Sequence, residues 1–568
     1  MKLTDYIVCF LEELQIDTVF GYIGGSVADL IHSICESKHV QYIQSYHEQA
    51  SAFSANAYAQ VTGKTGVAVS SSGPGAINLI NGIANAYYDS IPCIFITGNV
   101  HSAGRRPSDK IRQNAFQETD IVEIVKSITK YSVYIKDASE IKYQMQKAFY
   151  YANEGRKGPV LIDIPYDIQR KDVDVEGMSS FCITEKRKRV SHVREVARLL
   201  KDSHRPLLLI GGGCQNAKGI LKDILKKLPV PVAASMRGLD VVSHDEDIFV
   251  GFIGSYGNAW ANLAVLHCDL LIVLGSRLDE RQMGYDKKAF APNAKIVQVD
   301  IDHYELGRKT DNLISIQADV NDFLNSFAKA ACSGSWDKWT LLLKEWKKKY
   351  YSKFHADRQL CANAILSKIS NILQEDAIIT ADVGQNQIMC AQSLRLCENN
   401  IFLSSSGLAC MGYSLPAAIG ACYASLHRQI ISINGDGGIM MNMQEMQTIK
   451  REKLPIKIII LNNACLGLIR KLQENLFAGN YYASIIGYSA PDFAKVAEAF
   501  EMDYLKIEEE KDIQNCESLL SNEHPVIIDI HLPNDLSTFS EPGENIYTQV
   551  PRLSKEEVDQ LRKQAESI

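Results

Sequence analysis

The sequence predicts an α/β protein made of three doubly wound parallel-sheet domains, and three observations predict it. The chain has 568 residues, and at roughly 100–200 residues per domain this length implies three or four units. Short Val/Ile-rich runs alternate throughout with amphipathic helical stretches. Examples of the runs are Gly66–Ser71, Pro92–Thr97, Pro159–Ile164, Pro206–Ile210, Leu270–Leu274, Lys295–Asp300, Ala377–Thr380, Gln429–Ile433, Ile456–Leu461 and Val526–Ile530. Near-continuous apolar strands between helices are those of parallel sheets buried on both faces. Two stretches break the alternation. Gln169–Arg189 is polar and charged, with a basic cluster at Lys186–Arg189, and Ser333–His355 is rich in Trp and Lys and reads as a helical connector. Domains are therefore expected near 1–175, 190–335 and 355–535. The tail, 536–568, opens with loop residues (Ser540, Pro542, Gly543) and ends in a helix started by Ser554 with Glu557 three residues on, a capping-box pattern.

Composition narrows the function. With 46% hydrophobic and 22% charged residues, each domain can bury a core, and disorder is excluded as the dominant state. A net charge of −7 is a poor basis for gripping phosphate backbones, so no nucleic-acid partner is expected. No apolar run approaches the ~20 residues that span a bilayer, so no membrane partner is expected. Met1–Glu13 contains Asp5, Glu12 and Glu13 and lacks the layout of a secretory signal. The 14 cysteines are scattered, none in C-x-x-C spacing, and most sit in apolar runs where a thiol packs as a small hydrophobe. A reduced, cytoplasmic setting is expected. There is no tandem repeat and no low-complexity tract.

The segment with the clearest chemistry is Ile431–Asn463. A strand (QIISIN) runs into Gly435-Asp436-Gly437-Gly438, a helical stretch (MNMQEMQTIKRE) follows, and a second strand (IKIIIL) ends at Asn462-Asn463. Glycines between a strand and a helix place backbone N–H groups and a helix start where a phosphate can sit. Asp436 can hold a divalent cation and Asn463 a second oxygen, and Mg²⁺ takes oxygen ligands that it shares with a diphosphate. Both lie beyond the carboxyl ends of strands, where open α/β sheets bind ligands. A bare Asp-Gly usually marks a turn, as does Asn-Asn. Here 24 residues separate Gly437 from Asn462, the spacing found in thiamine-diphosphate enzymes. Upstream, Tyr46-His47-Glu48-Gln49-Ala50 follows a short strand (VQYIQS) and begins a helix. Ser72-Gly73-Pro74-Gly75-Ala76-Ile77-Asn78 is a Gly/Pro turn into another. A lone Glu at a helix start is usually a capping or dipole-favoured residue.

Taken together, these segments resemble the acetolactate synthase (acetohydroxyacid synthase) large-subunit family of thiamine-diphosphate-dependent enzymes, from about residue 1 to 530. The resemblance rests on F-G-Y-x-G-G at Phe20–Gly25, H-E-Q-A at His47–Ala50, S-G-P-G-A-x-N at Ser72–Asn78 and A-F-Q-E at Ala115–Glu118. It continues through G-P-V-L-I-D-I-P at Gly158–Pro165, G-L-x-x-M-G at Gly407–Gly412, L-P-A-A-I-G at Leu415–Gly420 and the GDG…NN element. It implies a pyrimidine-binding domain, a central FAD-binding-like domain and a diphosphate-binding domain, in that order.

It also implies roles. Glu48 would hydrogen-bond the aminopyrimidine ring and drive its imino tautomer. Met411 would be the apolar wedge that bends the cofactor, and the carbonyl of Ala409 would accept the aminopyrimidine hydrogen bond. Gln385, Gly435, Gly437 and Gly438 would cradle the diphosphate, with Asn386 beside it. Asp436, Asn463 and the backbone carbonyl of Cys465 would hold Mg²⁺. Pro74 and Asn78 would line the pyrimidine end, and Gln117 the reaction chamber, with Gly25, Ser26 and Phe116 along the substrate channel. Glu48 and Asp436 would come from different subunits, so a homodimer is the smallest active unit and a tetramer is the other option. In the central domain, Gly212 in a glycine run, Arg277 and Arg281 in R-L-D-E-R, and Arg156, Asp300 and Asp319 fall where the family contacts a structural FAD that does no net redox. The other reading is a vestigial domain without FAD.

The sequence departs from the family at four places. Leu472 stands where anabolic members carry a Trp against the acceptor's ethyl group. Ile23 replaces a Pro, and Asn386 replaces a His. The loop Gly98–Gln117 is about half a dozen residues longer and basic, with His101, Arg105, Arg106, Lys110 and Arg112. Arginines there could bind phosphates bidentately, or the loop could be solvated surface. The leading expectation is a carboligase that decarboxylates pyruvate, a 2-keto acid, and transfers the two-carbon unit to an acceptor ketone. By default the acceptor is a second pyruvate, giving acetolactate. The alternatives are transfer to a phosphorylated acceptor such as a nucleotide-linked keto-sugar, simple 2-keto acid decarboxylation, and a non-catalytic regulatory homologue, against which the intact Glu48, Asp436 and Asn463 argue.

Overall fold

The structure, a computed structural model, describes residues 1–183, 190–311, 313–330, 333–355, 361–425, 427–534 and 553–568. The basic cluster Lys186–Arg189 and the tail residues Ser540, Pro542 and Gly543 lie outside them. Among the described residues, 18 strands form three all-parallel sheets of six. The first sheet contains β1 (Thr18–Gly21), β2 (Gln41–Gln44), β3 (Gly66–Ser70), β4 (Cys93–Asn99), β5 (Tyr131–Tyr134) and β6 (Pro159–Pro165). The second contains β7 (Pro206–Ile210), β8 (Val232–Ala234), β9 (Phe249–Phe252), β10 (Leu270–Leu274), β11 (Lys295–Asp300) and β12 (Ile314–Gln317). The third contains β13 (Ile378–Ala381), β14 (Ile401–Ser404), β15 (Ile430–Gly435), β16 (Lys457–Asn462), β17 (Asp503–Ile507) and β18 (Val526–His531). Every Val/Ile-rich run picked out in the sequence is one of these strands, to within two residues.

The outer sheets share one topology. The first runs β2-β1-β3-β4-β6-β5 and the third β14-β13-β15-β16-β18-β17, so the two domains repeat one winding. The middle sheet runs β12-β11-β10-β7-β8-β9, the strand order of dinucleotide-binding folds, with its switch point between β7 and β10.

The Trp-rich connector is more than a spacer. It forms a helix, Asp337–His355, whose Trp339 and Tyr350 are fully buried. The Trp336 indole donates to the Ser203 carbonyl at 2.9 Å and the Trp339 indole to the Pro206 carbonyl at 3.1 Å. This helix belongs to the core of the middle domain. The last helix, Lys555–Glu566, docks beside it, with the Trp346 indole donating to Gln564 Oε1 at 3.1 Å. Ser554 caps that helix through the Glu557 N–H at 3.1 Å. The Glu557 carboxylate does not turn back to close the box but accepts from Lys349 and Tyr350, both at 3.0 Å.

The outer domains of the chain meet through two helices, Glu48–Thr62 and Ser414–Ala424. Their sequences are rich in Ala and Ser, so the backbones approach closely. A Cβ on Gly420 would stand 2.0 Å from the carbonyl oxygen of Ser54. Ser54 Oγ donates to the Pro416 carbonyl at 2.8 Å, Gln60 Nε2 to the Tyr413 hydroxyl at 3.0 Å, and Phe53 meets Tyr413 edge-on with centroids 5.4 Å apart. Among the described residues, no helix is long and apolar enough to cross a membrane.

Gly420→Ala forces these helices apart. It should cost about 1–3 kcal/mol, as overpacking of a close contact does, and show as a lower thermal midpoint. An unchanged midpoint would mean that this seam does not set the domain spacing.

Candidate functional site

Four loops at the carboxyl ends of β1–β4 carry the N-terminal candidates. After β1, Gly25 is exposed, whereas Ser26 is buried and its Oγ accepts the Ser72 N–H at 2.8 Å. After β2, the helix start is capped by His47, whose Nδ1 accepts the Gln49 N–H at 3.1 Å. Glu48 therefore does not serve as the cap. It is buried, and Oε2 accepts from Asn78 Nδ2 at 2.9 Å. Asn78 ends the short helix Pro74–Asn78 that follows β3, with Pro74 at its first position.

After β4 comes the long loop. Gln117 adopts φ +64°, a conformation costly for a non-glycine residue. It lies against Gly73, where an added Cβ would be 3.0 Å from Gln117 Cβ. Phe116 beside it is 87% exposed. Glu118 closes the loop by accepting N–H groups from Arg106 (2.6 Å), Asn114 (2.8 Å) and Ala115 (3.2 Å). Two of the three arginines considered for phosphate binding have protein partners. Arg106 pairs with Asp120 at 3.1 Å, and Arg105 pairs with Asp120 at 3.6 Å while stacking 4.2 Å over the Tyr134 ring. Arg112 is exposed.

The C-terminal candidates follow β13, β14, β15 and β16 in the matching positions. Asp382, fully buried at the end of β13, accepts the N–H groups of Gly412 (3.0 Å) and Tyr413 (2.9 Å). It thereby fixes the loop of Ala409 and Met411. Ala409 has φ +60° and Met411 is half-buried. Burial pushes the Asp382 carboxyl up to about 6, with N–H groups of Gly412, Val383, Tyr413 and Ser414 pulling the other way. A side chain on Gly438 would collide with this carboxylate, since its Cβ would be 1.9 Å from Asp382 Oδ2. Asn386 donates to the Asp382 carbonyl at 2.6 Å and sits beside Gly435. The helical stretch expected after the glycines is two short pieces, Met443–Glu445 and Met446–Glu452, and the glycines themselves lie in a further one, Asp436–Ile439. Asn442, outside the helical region at φ −139° and ψ 28°, separates the first piece from the second.

The metal candidates converge. The inner atom of the Asn463 amide stands 2.9 Å from the Cys465 carbonyl oxygen and 3.2 Å from Asp436 Oδ1. With nitrogen inward, the amide donates to both. With oxygen inward, it joins the Cys465 carbonyl and Asp436 Oδ1 in an all-oxygen set. Mg²⁺ sits about 2.1 Å from its oxygen ligands in an octahedron, so neighbouring ligands stand about 3 Å apart. The spacing fits such an ion. Asp436 is pushed up to about 6 by burial, partly offset by the Tyr488 hydroxyl, which donates to Oδ2 at 3.0 Å. Among the described residues, no His/Cys/Asp/Glu cluster could hold a metal. This set is instead a carboxylate, an amide and a carbonyl. Gln385 borders it, with Oε1 accepting from Asn463 Nδ2 at 3.3 Å in the oxygen-inward orientation.

Glu48 and Asp436 are bonded within different domains of the chain. Large apolar side chains near both half-sites face outward: Phe116 and Ile77 on one, Leu472 (48% exposed), Leu476, Phe477 and Ile486 on the other.

The central cleft opens at the switch point of the middle sheet. Gly211–Gly213 and Gly275 cross there, with the Gly213 N–H donating to the Gly275 carbonyl at 3.0 Å. A cavity of about 300 Å³ is lined by Gly212, Arg277, Arg281, Asp300 and Asp319 of the middle domain and by Arg156 from the first. Arg156 pairs with Asp302 and Glu305, both at 3.4 Å, and burial raises the Asp300 pKa.

Comparison with known proteins gives the class and then the family. Residues 1–124 match the Thiamine pyrophosphate enzyme, N-terminal TPP binding domain, residues 193–327 its central domain, and residues 382–530 its C-terminal TPP binding domain. The fold and the site thus define a thiamine pyrophosphate enzyme. The chain is 33% identical to the Acetolactate synthase isozyme 2 large subunit of Escherichia coli (strain K12) over 554 residues, covering 97% of this chain and 98% of that one. It is 33% identical to the chloroplastic Acetolactate synthase of Arabidopsis thaliana, covering 94% and 82%. It is 34% identical to the Acetolactate synthase large subunit of Cyanidium caldarium, covering 99% and 97%. The chain belongs to the acetolactate synthase large-subunit family.

Sequence reading passed over several site-shaping residues. Asp382 closes an apolar strand (IITAD), a usable signal. Tyr488 and Asp89, which accepts the N–H groups of Ser406 (3.0 Å) and Gly407 (2.8 Å), are distant in sequence from what they touch.

An acid whose folded pKa stands above its unfolded value of 3.8 favours the fold most when protonated. That contribution is present below about pH 4 and is lost as pH rises to about 6. Without metal or cofactor, Asp382→Asn should therefore gain thermal stability relative to the parent between about pH 4 and 7. A gap constant with pH would contradict this.

Proposed function

We propose that the chain is a thiamine-diphosphate- and Mg²⁺-dependent carboligase. It decarboxylates pyruvate and transfers the two-carbon unit to an acceptor ketone, by default a second pyruvate, giving acetolactate. The observation that carries the proposal is the convergence of Asp436, the Asn463 amide and the Cys465 carbonyl beyond the ends of β15 and β16, with the amide 2.9 Å and 3.2 Å from the other two, separations that suit neighbouring Mg²⁺ ligands. When bound, thiamine diphosphate supplies a nucleophilic carbon that stabilises the two-carbon unit after CO₂ is lost. The protein's part is to bind, bend and deprotonate. Asp436, Asn463 and the Cys465 carbonyl would hold the metal, and Gln385, Asn386, Gly435, Gly437 and Gly438 would surround the diphosphate. Pro74 and Asn78 would line the pyrimidine end, where Glu48 would hold the proton shared with the ring nitrogen. Met411 would wedge the cofactor bent, and the Ala409 carbonyl would accept its amino N–H. Gln117, Gly25, Ser26, Phe116 and Leu472 would border the acceptor. The two halves would be brought together by a second copy of the chain, which would cover the apolar groups exposed around them. The central cleft, with Arg156, Gly212, Arg277, Arg281, Asp300 and Asp319, would hold FAD without net redox. The described cysteines are unpaired, in keeping with a reduced, cytoplasmic setting.

A bulkier phosphorylated acceptor, such as a nucleotide-linked keto-sugar, is the second reading. Leu472 and the exposed Arg112 favour it. It draws less on Arg105 and Arg106, which Asp120 already engages. Product analysis with pyruvate alone and then with a keto-sugar nucleotide tests both readings. Acetolactate as the product in either case supports the first, and its displacement by a branched sugar supports the second.

Glu48→Gln should bind the cofactor and lose about 10²–10⁴-fold in turnover, the usual contribution of a proton-transferring group. Near-parental turnover would remove Glu48 from that role. The purified protein should be yellow, release FAD on denaturation and catalyse no net oxidation. A colourless protein that is fully active and takes up no FAD would make the central cleft vestigial.

A further inference from the structure

The segment leading into Glu48 is held by the C-terminal domain of the same chain. Glu445 is fully buried on the turn just before the helix Met446–Glu452. Its Oε1 accepts the Tyr46 N–H at 2.8 Å, and its Oε2 accepts the Thr448 hydroxyl at 2.8 Å. Burial raises its pKa to about 7, against the pull of Thr448 and of the N–H groups of Tyr46 and His47. From the same helix, Arg451 donates to the Gln44 carbonyl and lies over the Tyr46 ring, 5.5 Å from its centroid. Residues 44–47 are thus pinned from outside their own domain. The helix does not need Glu445 as a cap, because His47 Nδ1 already fills that place. Burying a carboxylate costs free energy unless it meets donors, and the donors Glu445 meets here include the backbone just before Glu48. The contact has a mirror image. Asp89 of the N-terminal domain takes the N–H groups of Ser406 and Gly407, in the loop that leads to Ala409 and Met411.

We propose that Glu445 is a positioning residue for Glu48: it sets where the Glu48 carboxylate stands by fixing the backbone of Tyr46 and His47 to the C-terminal domain. The proposal rests on the role given to Glu48 above. The hydrogen bonds of Glu445 go to Tyr46, His47 and Thr448 and to none of the residues assigned to the metal or the diphosphate, so it should act on proton transfer and not on cofactor affinity.

The test is hydrogen–deuterium exchange at C2 of thiamine diphosphate bound, with Mg²⁺, to the full-length protein, read beside cofactor affinity by calorimetry and the thermal midpoint. Glu445→Gln should slow exchange by about 10- to 100-fold, as a small misplacement of a reacting group does, with cofactor affinity unchanged. In the Glu48→Gln background it should slow exchange no further, because it acts through the residue already lost. Arg451→Ala, on the exposed side of the same segment, should slow exchange less and stands in if Glu445→Gln does not fold. Parental exchange rates in whichever variant folds would overturn the proposal. So would a loss in the Glu48→Gln background as large as in the parent, or a fall in cofactor affinity that accounts for the slower exchange. Unchanged exchange in Glu48→Gln alone would overturn the role of Glu48 and this proposal with it. Unchanged exchange in Glu445→Gln alone would overturn only this one.

Discussion

The close packing of helix Glu48–Thr62 on helix Ser414–Ala424 is the constraint on which the rest depends. Gly420 against the Ser54 carbonyl leaves no room for a methyl group, so the two outer domains of one chain are fixed at a short, defined distance. Glu48 begins one of these helices, and Met411 lies just before the other. Any change at the seam moves both half-sites at once. The contacts made by Asp89 and Glu445 depend on that distance, because each spans from one domain to the loops of the other.

The buried carboxylates divide by what they face. Asp382, Asp89 and Glu445 accept backbone N–H groups and hold loops in place. Asp436 accepts from Tyr488 through one oxygen and turns the other toward an amide and a carbonyl. A carboxylate with an oxygen-rich side is costly in a dry site unless a cation joins it. The same logic applies more weakly in the central cleft, where Arg156 and Arg277 have acidic partners yet still line an open cavity.

The fold was largely legible in the sequence because interior strands of parallel sheets are buried on both faces and read as unbroken Val/Ile runs. What escaped were mainly short or edge strands. β5 and β17 are half-exposed and β12 alternates, so each lacks a continuous apolar run. β8 is only three residues long. The connector Ser333–His355 looked like a spacer because its lysines hide the spacing of Trp336, Trp339, Trp346 and Tyr350, whose burial is visible only in three dimensions. In the site, motifs marked the positions proposed to hold the cofactor. The residues that hold those motifs in place, Asp382, Asp89, Glu445 and Tyr488, bond across long sequence separations and leave no local pattern. In the basic loop the charge run left phosphate binding and solvated surface both open, and only the structure shows that Asp120 lies within reach of both Arg105 and Arg106.

On the proposed function, one chain carries two half-sites which a second copy would complete. Mixing Glu48→Gln chains with Asp436→Ala chains, and allowing subunits to exchange, tests it most directly. Each parent should be inactive. A mixed dimer would have one site with both residues intact, so activity should return in the mixture and in the isolated mixed dimer. If the mixed dimer forms and is as inactive as its parents, Glu48 and Asp436 act within a single chain and the claim is wrong.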